Sequence, residues 1–220
     1  MVGDAFPPDW ERLAYHNFQY EQTFYQAGIA LGNSLEEFVH NSQVYQARLL
    51  KFAIERYRTA KYRASGGMYQ FMFVDCWPSV TWSVVSHARV PKQGYYTLQQ
   101  VYQPVLIGAH LIDTHYLIGI GRGSHERPVE FTPWVVNDLH HMLTGCHYTA
   151  HLEGPGGHIV IPVEGHFDVQ ADSVFEGAPR LMWSVPHTLP PGTYTLTLAL
   201  KQDGSMLSQN TYEIAFYRAP

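Results

Sequence analysis

The sequence predicts a two-part α+β chain: a helical α/β slice over residues 1–103, then an antiparallel β-sandwich over residues 104–220. Three observations predict it. An S-x-x-E helix start at Ser34 and Glu37 is followed by apolar residues at helical spacing. A nearly unbroken apolar run at residues 68–74 lies between that helix and a second helical pattern. After residue 104 the chain changes to short alternating segments separated by turn residues.

Residues 1–33 open with Pro7-Pro8-Asp9, close with Gly32-Asn33, and read as short helical pieces without a strand. From Ser34, the residues Phe38, Tyr45, Leu49, Phe52, Ala53, Tyr57 and Ala60 describe one long amphipathic helix that stops near Ser65-Gly66-Gly67. The run that follows has the length of a strand buried on both faces and ends at Asp75 and Trp77-Pro78. Pro91-Lys92 precedes a second helix through Tyr95, Leu98, Val101 and Tyr102, which Pro104 stops. Helix, buried strand, loop and helix make a slice of α/β architecture with a parallel sheet.

Strands are expected at residues 105–109, 116–120, 134–137, 147–152, 193–200 and 212–217. Tyr194, Leu196, Leu198 and Leu200 alternate with Thr195, Thr197 and Ala199, so one face of that strand belongs to the core. Pro190-Pro191-Gly192 and Gln202-Asp203-Gly204-Ser205 flank it, the second predicting a hairpin. There is no internal repeat and no low-complexity tract.

Composition narrows the function. With a net charge of -5 and no clustered Lys/Arg stripe, the chain lacks the electrostatic footprint of a nucleic-acid or anionic-membrane binder. No stretch approaches the roughly 20 apolar residues of a membrane span. The opening residues carry neither a basic nor an apolar signal region, so a cytoplasmic setting is expected and any signal peptide would lie upstream. Cys76 and Cys146 stand far apart and are read as buried thiols in a reducing compartment. The 15 Tyr, 11 Phe and 5 Trp suit stacking on sugar rings as well as core packing.

The segment Phe71-Met72-Phe73-Val74-Asp75-Cys76-Trp77-Pro78-Ser79-Val80-Thr81-Trp82-Ser83 resembles the eighth barrel strand and following loop of β-mannosidase-like family 2 glycoside hydrolases, approximately W-Q-L-N-D-x-W-P-x-x-S-W-S. Pro91-Lys92 and Tyr95-Tyr96 sit where that pattern has them, and Ser42-Gln43, Gln46-Ala47 and Tyr57-Arg58 resemble the preceding barrel helix. Val135-Val136-Asn137-Asp138-Leu139, Trp183-Ser184-Val185-Pro186, Pro191-Gly192-Thr193-Tyr194 and Leu207-Ser208-Gln209-Asn210-Thr211-Tyr212 are similar to the family's carboxyl-terminal immunoglobulin-like domain. Phe71 and Val74 depart from the family's Trp and Asn, leaving a smaller ring and one amide fewer.

The resemblance implies a carboxyl-terminal fragment: strand 8 of a (β/α)8 TIM barrel at about residues 68–75 with its last helix, then an immunoglobulin-like sandwich. It implies a β-linked carbohydrate as partner once the barrel is completed by a missing amino-terminal part, and no cofactor. Family members are retaining glycosidases, which need two carboxyl groups about 5–5.5 Å apart; both are expected upstream of Met1, which leaves no catalytic residue in this chain. Asp75, Trp77, Phe71 and Trp82 are the expected substrate contacts, Asp75 because it stands at the carboxyl end of its strand. The alternative is a non-catalytic β-sandwich module with a structural or carbohydrate-binding role.

Other signals carry less. Among the thirteen histidines, His140, His141, His147 and His151 cluster in sequence without a carboxylate or thiol at ligand spacing, so no metal is expected. Gly119-Ile120-Gly121-Arg122-Gly123 lacks the Lys-Ser/Thr of a phosphate loop. Cys76 lies beside the acidic Asp75, the opposite of the electropositive setting that activates a thiol. Glu36 and Glu37 suit a helix amino terminus, and Glu153, Glu164, Glu176 and Glu213 fall in the sandwich.

Overall fold

A computed structural model describes residues 6–118, 128–163 and 165–218. The chain forms two compact units, Met1–Tyr102 and Gln103–Pro220. Among the described residues, helices are confined to the first and strands to the second.

In the first unit α1 (Trp10–Tyr15) starts where the Asp9 carboxylate accepts a hydrogen bond from the Arg12 amide. A π-helical turn follows at Gln22–Gln26. These pieces and the start of the long helix close a small aromatic core of Leu13, Phe18 and Phe38, with Trp10 stacked on Phe18 at 5.5 Å and edge-on to Phe24. The long helix, α2 (Leu35–Thr59), begins as its cap predicts: the Ser34 hydroxyl accepts from the Glu37 amide at 3.2 Å. Glu37 reaches one residue further back than a standard capping box, accepting from the Asn33 amide at 2.8 Å. Ser34→Ala should therefore cost about 1 kcal/mol, measured as a lower midpoint in denaturant unfolding followed by helical circular dichroism.

The helix stops at Thr59, short of the glycines, because residues 60–65 fold into a turn in which the Ala60 carbonyl accepts from Ala64 and Ser65. Its expected apolar face is only partly covered. Ile54, Glu55, Arg58 and Thr59 are buried, whereas Tyr45, Leu49, Phe52 and Tyr57 are exposed. The second helix, α3 (Gln93–Val101), starts after Pro91-Lys92 as expected. It lies against α2 at Gly94, where a Cβ would come within 2.9 Å of Gln46 Oε1 and 3.1 Å of Leu50, so glycine permits the approach.

Residues 68–73 do not form the expected strand. Val74 makes a single bridge to Val85, and Tyr69, Phe71 and Phe73 are 98%, 74% and 60% exposed. The physical reason is that a strand is not a local structure: its amides and carbonyls need a neighbouring strand, and among the described residues none runs beside this segment.

Among its described residues the second unit has ten strands in two sheets. The first sheet holds β1 (Val105–Leu111), β3 (Val129–Asn137) and β7 (Ser173–Phe175) in that order, with β8 (Leu181–Trp183) also pairing β3. The second runs β2 (His115–Ile118), β10 (Ser205–Arg218), β9 (Gly192–Gln202), β4 (Leu143–Gly154) and β5 (Gly157–Ile161), with β6 (Phe167–Val169) pairing β4. Pairing is antiparallel except between β2 and β10.

One core joins the sheets, with Ile107, Phe131 and Val135 from the first and Leu152, Leu196, Leu200, Ile214 and Phe216 from the second. Tyr194, Leu196, Leu198 and Leu200 on β9 are fully buried as predicted, but Thr197 and Ala199 on its other face are buried as well. The β9–β10 hairpin also forms, through Asp203 and Gly204, both at positive φ, the two-residue turn that matches strand twist.

Polar side chains on β10 tie the layers together. The Ser208 hydroxyl accepts from the Ile107 amide at 3.1 Å, the Asn210 amide donates to the Ile107 carbonyl at 2.9 Å, and the Tyr212 hydroxyl accepts from the Ala109 amide at 3.0 Å. Because β1 ends its sheet, these bonds satisfy backbone groups that an edge strand otherwise leaves open. No helix among the described residues is long and apolar enough to cross a membrane.

Candidate functional site

The site expected around Asp75 is a loop folded on one carboxylate. Asp75 is 2% exposed. One carboxylate oxygen accepts from the hydroxyls of Thr81 and of Ser79, the latter at 3.2 Å, and the other accepts from Lys92 Nζ at 3.2 Å. Lys92 also donates to the Ser83 hydroxyl at 2.8 Å. The backbone repeats the closure, with the Asp75 amide donating to the Val85 carbonyl and the Lys92 amide to the Val84 carbonyl.

Lys92 stands at the amino end of α3, where a cation opposes the helix dipole. The Asp75 carboxylate offsets that charge. Burial pushes the Asp75 pKa up, but the Thr81 and Ser83 hydroxyls and the Lys92 ammonium together outweigh it, and the group is held below its ordinary value. The carboxylate is thus ionised and committed to the loop, with almost no surface to offer a sugar hydroxyl.

The rings face outward instead. Trp77 is 39% exposed and stacks on His16 at 4.8 Å, with Tyr15 edge-on at 5.9 Å. His16 is itself fixed to the loop, its Nδ1 bonded to the Pro78 carbonyl and its own carbonyl accepting from the Val80 amide at 2.9 Å. Trp82 is half exposed, and its carbonyl accepts from the side chains of Gln46 at 2.9 Å and Gln70 at 3.2 Å. Phe71 is three-quarters exposed. Tyr15 and His16 escaped the sequence reading because their spacing, some 60 residues before Trp77, carries no periodic signal.

Asp75 is the single acidic residue between Glu55 and Asp113. Of the other carboxylates of this unit, Asp9 accepts from the Arg12 amide, Glu37 accepts from the Asn33 amide, and Glu55 pairs with Lys51. Of the cysteines, Cys146 is buried as expected, with its thiol pushed up by burial and then by Asp168 and Asp203. Cys76 is exposed, contrary to expectation. The glycine-rich turn at 119–123 and Glu164 lie outside the described residues. His147 packs on His166, and His151 on His158, while His140 and His141 are exposed in a loop.

No family model matches the chain. It is similar to beta-mannosidase B of Aspergillus niger, 24% identical over 192 residues covering 86% of this chain and 22% of that relative. Beta-mannosidase B of Aspergillus terreus is 22% identical over 76% of this chain and 21% of its own length. The chain thus spans about a fifth of the curated relatives it matches. Among solved structures, the β-D-mannosidase of Dictyoglomus thermophilum superposes with a TM-score of 0.64 at 20% identity, covering 94% of this chain and 24% of that one. An exo-chitosanase of Amycolatopsis orientalis gives 0.54 at 18% identity over 84% of this chain and 20% of its own.

Proposed function

We propose that this chain, which is similar to β-mannosidases over most of its length, is the carboxyl-terminal portion of a family 2, retaining exo-β-glycosidase acting on O-glycosidic bonds. Residues 1–103 are read as the last strand, loop and helix of a (β/α)8 barrel, and residues 104–220 as an immunoglobulin-like sandwich. The observation that carries this reading is the Asp75-Cys76-Trp77-Pro78 loop, folded on a buried ion pair and presenting aromatic rings, within a chain that aligns with β-mannosidases over most of its length.

Further support lies in the second unit. The Tyr194 hydroxyl, near the start of β9, donates back to the Pro190 carbonyl at 3.0 Å, the arrangement of the corner tyrosine of immunoglobulin-like sandwiches. In the first unit, the exposed rings of Tyr69, Phe71 and Phe73 suit a barrel segment that lacks its neighbouring strands. Trp77, Trp82 and Phe71 supply faces for a β-linked sugar, while Asp75 positions the loop that carries them.

Retaining hydrolysis requires a nucleophile and an acid/base. On this reading Asp75, enclosed and alone on its loop, is neither of them, and the rest of the barrel brings both. The expected result is no turnover of an aryl β-mannoside by the purified chain. Turnover should appear when it is co-expressed with the amino-terminal four fifths of a β-mannosidase relative, and Trp77→Ala should raise KM in that complex. Hydrolysis by the chain alone, abolished by substituting one of its own carboxylates, would overturn the reading. Failure to complement, together with saturable sugar binding by the second unit, would favour a non-catalytic module, for which the closed core of that unit is sufficient.

A further inference from the structure

We propose that His151, Glu153 and His158 form a binding site for a zinc-class divalent transition metal on the outer face of the β4–β5 hairpin. The two strands pair in a register that sets Glu153 opposite His158 and His151 opposite Val160. Residues 151 and 153 share one face of β4, since side chains alternate along a strand. Leu152 between them is fully buried in the core, which turns both ligands outward. His158 projects beside them from β5. Ligands from both arms of the hairpin thus meet on one patch.

The donor atoms already converge. His158 Nδ1 lies 2.9 Å from a Glu153 carboxylate oxygen, the His151 and His158 rings are 4.7 Å apart, and one donor atom from each residue lies within 4.8 Å of the others. In a tetrahedral site with bonds near 2.0–2.1 Å, neighbouring donors stand about 3.3 Å apart. Side-chain rotation alone closes that difference, because Glu153 and His158 are exposed and His151 is half-buried. Two imidazoles and a carboxylate favour zinc, cobalt or nickel over the oxygen-seeking magnesium and calcium. Three protein ligands leave a fourth position for water or an external group. Bound there, the metal would clip β5, the last strand of its sheet, to β4.

The test is calorimetric titration of the full chain with zinc chloride in a non-chelating buffer, with magnesium chloride as control. One saturable equivalent of zinc and none of magnesium is expected. His151→Ala and His158→Ala should each weaken zinc binding by about 100-fold or more, since even partners that only orient a ligand are worth roughly 10–100-fold. Cobalt bound to the wild-type chain should give a tetrahedral visible spectrum that the double variant lacks. Both substitutions lie on the surface, and an unchanged circular dichroism spectrum checks that the sheet is intact. Absence of saturable zinc binding would overturn the proposal. So would binding that survives in the double variant, which would put the ion on another histidine pair such as His147 and His166.

Discussion

Tyr194→Ala should destabilise the second unit by about 3–5 kcal/mol, the range for emptying a large aromatic site in a packed core. Tyr194 is completely buried, edge-on to Phe216 at 5.3 Å. Its ring also occupies the space left by two glycines of the β4–β5 turn. A Cβ on Gly154 would come within 2.5 Å of the ring, and one on Gly156 within 2.8 Å of the hydroxyl. Removing the side chain empties a space that these backbone segments were shaped to fit, and the strands around it can close only in part. The melting temperature should fall by more than ~10 °C, read by calorimetry and near-ultraviolet circular dichroism. Tyr194→Phe separates ring from hydroxyl and should cost about 1 kcal/mol, the net worth of the bond to Pro190. A loss below about 1 kcal/mol in the alanine variant would contradict the packing described.

Asp75→Ala should destabilise the first unit by about 3 kcal/mol, because it leaves the largely buried Lys92 ammonium without its counter-charge. The same clasp predicts a pH dependence. The folded pKa of Asp75 lies below that of the unfolded chain, about 3.9. Its contribution is therefore fully present above that unfolded value and is lost as pH falls through the lower, folded one. Urea midpoints of the first unit should fall below about pH 4 more steeply in the wild type than in Asp75→Asn, which keeps the shape and removes the titration. Parallel curves for the two proteins would show that the carboxylate does not hold the loop.

How much of this was legible in the sequence differs between the two units. The start of α2 could be read from Ser34 and Glu37, and β9 with its hairpin from strict alternation followed by Asp203-Gly204, because local chemistry decides both. The strands β6, β7 and β8 were missed because three residues each carry no period. β5 was missed although Gly154-Pro155-Gly156-Gly157 is a turn signal. Reading it as a hairpin would have paired Glu153 with His158 and given His151 the carboxylate neighbour that spacing alone denied it.

Residues 68–74 do not form the expected strand for a different reason. Their composition describes a buried strand, but burial belongs to the neighbours and not to the segment. At Asp75 the sequence placed the residue at the right turn, while its enclosure by Ser79, Thr81 and Lys92 depends on side chains up to 17 positions away. The polar ties from Ser208, Asn210 and Tyr212 to β1 bridge about a hundred residues, beyond any local pattern.

The bare rings at Tyr15, Tyr25, Tyr69, Phe71 and Phe73 also change how this protein must be handled at the bench. Fluorescent probes such as anilinonaphthalene sulfonate brighten on apolar surface and are commonly used to diagnose loosened, partly melted states. Here they should brighten on the intact native molecule, so a high starting signal in a dye-based melting assay would report shape, not damage.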